Sequence, residues 1–142
     1  MIARILLPFA MALAACSEAD DTASVQADTA TLNAIADLAG AASCAAKGAG
    51  ALPASITDTK ASLEAHAATL GPDCASYAAN WDMHAIRWRG LALTRPNNAH
   101  LQICADFKLG SDKVQPPSRF PELAEKRDPG RHCFSLAMRT TS

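Results

Sequence analysis

The chain has 142 residues, 49% of them apolar but only 5% aromatic, and a formal net charge of −1. That length suits one domain with a modest core, and the near-neutral balance excludes the strongly basic footprint of a nucleic-acid-binding protein. The balance is uneven, however: residues 17–82 carry nine acidic and two basic side chains, and residues 83–142 carry five acidic and ten basic ones. Either the two halves pack together and neutralise each other, or the basic half meets anionic material.

Arg4 supplies one positive charge near the amino terminus, and residues 5–13 form an apolar run broken only by Pro8. A bilayer span needs ~20 apolar residues, so this run is too short to cross a membrane. It reads as the core of a signal peptide. The run closes on Leu13-Ala14-Ala15-Cys16, a large aliphatic residue, two small ones and a cysteine. This segment resembles the lipobox of bacterial lipoproteins. The resemblance implies a diacylglyceryl group on the Cys16 thiol, cleavage before Cys16 and acylation of the new amino group, commonly with palmitate. Several chains anchor a protein stably where one is marginal. It also implies a protein of the bacterial envelope, held to a membrane through Cys16. Ser17 in place of an aspartate points to the outer membrane, facing the periplasm. The competing reading is an ordinary signal, cut at an Ala-Leu-Ala site, with Cys16 lost or left as a free thiol. The expected organisation is a signal over 1–15, a polar flexible tether over 16–28 and one globular domain over 29–142.

Asp28 or Thr29 can cap a helix running to about Lys47, with Leu32, Ile35, Ala39, Ala42 and Ala46 as its apolar stripe. Gly48, Gly50 and Pro53 stop it. Ser55 starts a second helix that Gly71-Pro72 ends, and residues 73–80 suit a short third one. The chemistry then changes. Residues 86–89 alternate as a strand, Gly90 shifts the phase in the manner of a bulge, and Arg95-Pro96-Asn97-Asn98 turns the chain into residues 100–109, the clearest period-two segment. Residues 131–139 alternate as well. Between these strands, residues 110–130 hold four prolines and read as a functional loop or an ordered Ω-type loop, with Phe120 and Leu123 as anchors. Together these elements predict an α+β fold: alanine-rich N-terminal helices, then a small three- or four-stranded antiparallel sheet, stapled by disulfides. The pattern Ile103-Cys104-Ala105-x-Phe107 with Gly130-x-His132-Cys133-Phe134 loosely resembles that of uncharacterised membrane-anchored bacterial proteins, a resemblance that implies no activity.

Apart from Cys16 there are four cysteines, and an even number in an exported chain favours two disulfides. Cys104 and Cys133 each sit opposite the apolar face of their strand. If the strands are neighbours, the two share one side of the sheet at bridging distance. Cys44–Cys74 follows by elimination, although in an ideal helical hairpin about nineteen residues, ~28 Å, would separate Cys74 from the turn. No C-x-x-C or close pair of His and Cys ligands points to zinc.

No catalytic constellation emerges. His66, His84, His100 and His132 show no i, i+4 pairing and no H-E-x-x-H, and no G-x-S-x-G occurs. Glu122 and Glu125 read as solvated, and His132 as a half-buried, hydrogen-bonded residue. The most suggestive group for a ligand is Arg87, Trp88 and Arg89, with Arg131 from the last strand. The alternative is that Trp88 is the main core aromatic and its arginines face water. The expected function is a non-enzymatic envelope module for a protein or an anionic polymer, without cofactor, metal or nucleic acid. An inhibitor of a secreted hydrolase such as lysozyme is the second reading, and a small envelope enzyme the third.

The covalent expectations have one direct test. Intact mass of the membrane-extracted protein should show loss of residues 1–15 and the added mass of acyl chains on Cys16. A Cys16→Ser variant should accumulate as unprocessed precursor.

Overall fold

A computed structural model describes residues 12–52, 88–117 and 119–138. The second and third helices expected after Pro53, together with Cys74, Arg87, His66, His84 and Arg139, lie outside these residues. Within them one helix is followed by a three-stranded antiparallel sheet, an α+β arrangement.

Helix α1 spans Ala12–Ala49. It starts far upstream of the expected cap, and residues 17–28 are helical rather than a loose tether. The physical reason is composition. Residues 12–39 contain neither glycine nor proline, so polarity alone does not break the helix. Residues 21–23, 26 and 27 are exposed, as a helix projecting from the body should be. Thr29 does not cap; its hydroxyl donates back to the Val25 carbonyl at 2.7 Å. The helix ends at Gly50, whose φ of 71° is the left-handed conformation that closes helices and that glycine adopts without strain.

The predicted stripe of Leu32, Ile35, Ala39, Ala42 and Ala46 is fully buried. A second stripe, Ala34, Leu38, Ala41 and Ala45, is buried beside it. With eleven of its residues buried between Leu32 and Ala46, Gly40 among them, α1 is enclosed over more than half its circumference. Alanines along both stripes let neighbouring backbone approach closely.

Strand β1 is Ala92–Thr94, β2 is His100–Phe107 and β3 is Gly130–Ala137, in the order β1-β2-β3. The first strand is shorter and later than expected. Residues 88–91 form a turn in which the Leu91 N–H donates to the Trp88 carbonyl at 3.1 Å. Gly90, at the third position with φ 88°, fits a type II turn. Gly90 therefore turns the chain rather than bulging a strand. At the other end of the hairpin the Asn97 side chain accepts the N–H groups of Ala99 and His100, both at 2.9 Å.

Register divides the sheet into two faces. Leu101 opposes Leu136, Ile103 opposes Phe134, and Phe107 opposes Gly130 on the inner face. The Phe107 and Phe134 rings meet edge to face with centroids 6.0 Å apart. On the outer face Gln102 opposes Ser135, Cys104 opposes Cys133 and Asp106 opposes Arg131. Trp88 and Leu52 complete the core, joined by Val114 and Leu123 from the loop. The chain after α1 is tied to the hairpin, since the Leu52 N–H donates to Asn98 O at 2.8 Å and Arg95 Nε donates to Leu52 O at 3.1 Å.

Two contacts orient α1 on the sheet. Near its carboxyl end, the Ser43 hydroxyl meets Met138 Sδ at 3.5 Å, and Met138 is bonded to Ala99 just before β2. In its middle, Asp28 accepts the N–H groups of Lys108 (3.0 and 3.1 Å) and Leu109 (2.8 Å), just beyond the end of β2. The helix thus runs antiparallel to β2. Asp28 is 1% exposed. Its carboxylate satisfies two amides that have left the β-ladder, where an unmade bond would leave part-buried donors without an acceptor.

Asp28→Ala should lower stability by about 3 kcal/mol in urea unfolding, because two sheltered amides lose an ionised acceptor. Asp28→Asn, which keeps one oxygen acceptor, should lose less.

Candidate functional site

Because β1 begins only at Ala92, opposite Cys104, the last residues of β2 carry no strand on that side among the described residues. A cleft opens there. It encloses about 190 Å³ and is lined by Thr31, Arg89, Gly90, Leu91, Ala105 and Asp106. The type II turn delivers Arg89 to its lining, and the β2–β3 register places Arg131 beside Asp106, with NH1 3.4 Å from Oδ2. Of the four ligand candidates read from the sequence, Arg89 thus lines the cleft together with Asp106, and Arg131 pairs with Asp106 from β3. Both are exposed, and the Arg131 and Asp106 side chains are 53% and 72% exposed. An ion pair this open contributes little to stability, well under ~1 kcal/mol, and leaves the guanidinium available to an incoming anion.

Trp88 does not join this group. It is fully buried and belongs to the core, so it offers no surface to a ligand. Arg87 lies outside the described residues. The basic surface is also smaller than ten cations suggest, because Arg95 is spent on the Leu52 carbonyl and Arg127 is buried.

Arg127 was not singled out by any sequence signal, yet it organises the long loop. Its backbone closes the loop base: the Ser111 N–H donates to Arg127 O at 3.1 Å, and the Arg127 N–H donates to Ser111 Oγ at 3.2 Å. Val114 and Leu123 anchor the loop, with Phe120 half-buried beside them and a short 3-10 turn at Pro121–Ala124. This is an ordered Ω-type loop, tied at its neck by a serine and an arginine as well as by the strands. The Arg127 guanidinium lies 4.4 Å from the centre of the Phe107 ring and takes no hydrogen bond among the described residues. Burial pushes its pKa down, and the nearby Asp28 charge offsets this only in part.

The histidines assemble no catalytic group among the described residues. His100 Nδ1 lies 3.1 Å from Asn97 Oδ1. His132 is half-buried against Phe134, with ring centroids 4.6 Å apart. Its Nε2 is 3.9 Å from Glu125 Oε2, beyond hydrogen-bond reach. The hydrogen bond expected for His132 is therefore not made at that nitrogen. Glu125 is solvated, but Glu122 is only half-exposed and one of its oxygens is buried. No cluster of three metal-ligating side chains occurs among the described residues.

Cys104 and Cys133 form a disulfide, as the strand phases predict. Cys44 is disulfide-bonded too; its expected partner, Cys74, lies outside the described residues. Among those residues no helix is long and apolar enough to cross a membrane. The chain matches no protein-family model, no curated protein and no solved structure.

Because desolvation outweighs the attraction of Asp28, the charge on Arg127 should add nothing to stability. Arg127→Met, which keeps a long side chain on the Phe107 ring, should unfold at the same or a higher urea concentration. Arg127→Ala, which uncovers the ring, should unfold earlier.

Proposed function

We propose that this chain is a lipid-anchored protein of the bacterial envelope, and that its domain binds an envelope protein or an anionic envelope polymer rather than catalysing a reaction. Anchorage rests on the resemblance of Leu13-Ala14-Ala15-Cys16 to a lipobox. The helical course of residues 16–28 supports a stalk rather than a slack tether. Cut before Cys16, it would hold Asp28 ~18 Å along the helix from the lipid.

The observation that carries the binding reading is that Asp106, which lines the cleft with Arg89, holds Arg131 in an open ion pair. A partner carboxylate or phosphate can take over Arg131 from Asp106 and accept from Arg89 as well. Guanidinium groups suit this exchange because they bind such anions bidentately. The cleft is small, so the recognised unit is a single charged group on a larger partner.

A second reading has one specific observation behind it. The 110–129 loop is tied at its neck and anchored from within, while Lys113, Gln115 and Arg119 are exposed. A loop already ordered before binding loses little entropy on entering an enzyme's active site, which suits an inhibitor of a secreted hydrolase.

The test compares the lipid-free domain with a variant carrying Arg87→Glu, Arg89→Glu and Arg131→Glu. Co-sedimentation with isolated cell-wall sacculi and with lipopolysaccharide vesicles should fall by about tenfold or more in the variant. Unchanged sedimentation would reject the cleft as the contact. Inhibition of a muramidase that survives the triple reversal but is lost on shortening the 110–129 loop would favour the second reading instead.

A further inference from the structure

We propose that the Cys104–Cys133 disulfide is an exchangeable redox site, opened by a dithiol reductant while the sheet stays folded. This inference is independent of what the cleft binds.

The bond joins directly opposed residues of β2 and β3, with Cα atoms 4.0 Å apart. It lies on the outer face, whereas the apolar pairs that hold the sheet to α1 lie on the inner one. Opening it therefore removes no inner-face contact. The eight residue pairs from His100↔Ala137 to Phe107↔Gly130 remain in register through their backbone ladder, and Leu101, Ile103, Phe134 and Leu136 remain in the core.

Access is one-sided. Cys133 is exposed on β3, an edge strand among the described residues, whereas Cys104 on β2 between the other two is 8% exposed. An incoming thiolate reaches the Cys133 sulfur first. Arg131 sits two residues from Cys133 on the same face and is exposed. A neighbouring cation draws an anionic thiolate toward that sulfur and stabilises the thiolate later formed on it. Asp106 occupies the matching place beside Cys104, and its ion pair with Arg131 moderates its repulsion.

The exchange is balanced in two steps. One thiolate of the dithiol attacks Cys133 Sγ; the S–S bond breaks and its electron pair leaves on the Cys104 sulfur, which takes up a proton. The second thiol of the reductant, deprotonated, then attacks its own partner sulfur in the mixed disulfide and expels the Cys133 thiolate, which is protonated in turn. The dithiol is oxidised to a disulfide and the protein gains two thiols, a transfer of two electrons and two protons. Run backwards, the same steps let the oxidised protein oxidise a dithiol.

The test uses the full chain purified under non-reducing conditions. It is equilibrated with graded ratios of reduced to oxidised dithiothreitol, trapped with N-ethylmaleimide and mapped by peptide mass. Cys104 and Cys133 should become alkylated together at a ratio about tenfold less reducing than Cys44 requires, with the far-ultraviolet circular dichroism unchanged. The Cys104→Ala, Cys133→Ala double variant should keep the same spectrum. Alkylation of Cys104 and Cys133 only together with Cys44, or only with loss of the spectrum, would make the bond a structural staple and overturn the inference.

Discussion

The fold depends on one carboxylate in the middle of a helix. Asp28 leaves solvent to receive the amides of Lys108 and Leu109 as β2 ends. Those amides point away from the ladder just where the chain departs into a long loop, and a buried donor without an acceptor is costly. By accepting both, Asp28 sets the height of α1 along the sheet. It also brings an acid from the negative half of the chain to the positive half, near the buried Arg127. The charge asymmetry in the sequence is thus met inside the molecule at one point at least, and the surface is less basic than a residue count implies.

What packs behind that contact is built from small side chains. The buried arc of α1 contains seven alanines between Ala34 and Ala46 alongside Leu32, Ile35 and Leu38. Alanine removes little apolar area from water, so the larger burial comes from the sheet and the loop, through Phe134, Trp88, Leu123 and the inner residues of β2. A disulfide at Cys44, in the helix, fits a domain whose core alone is thin.

The two faces of the sheet do different work. The inner face carries the packing, and the outer face carries the accessible chemistry: the Asp106–Arg131 pair, the disulfide and, at the rim just before β1 begins, the cleft with Arg89. Side chains on the outer face can exchange partners without disturbing the core, because alternation along each strand keeps the two sets apart. The loop is tied down separately, by Ser111 and Arg127 at its neck and by Val114 and Leu123 within it.

Period-two alternation over residues 100–109 and 131–139 is enough to assign both long strands and their buried faces and, once the strands are neighbours, the Cys104–Cys133 pairing, because side-chain direction in a strand follows from the backbone alone. The stripe from Leu32 to Ala46 was legible for the same kind of reason, at the helical period. The sequence even holds a sign of Asp28, which continues that stripe one turn upstream of Leu32. Its polarity instead suggested a cap, since nothing local distinguishes an exposed acid from one whose partners lie eighty residues away. The burial of Trp88 and Arg127 is not legible in the sequence for the same reason: whether a tryptophan or an arginine is buried depends on what folds over it. Local propensity and periodicity determine which elements form and which way they face. Only their packing decides which charges are enclosed and which cation reaches a cleft, because burial and Coulomb attraction act between residues that are near in space and remote along the chain.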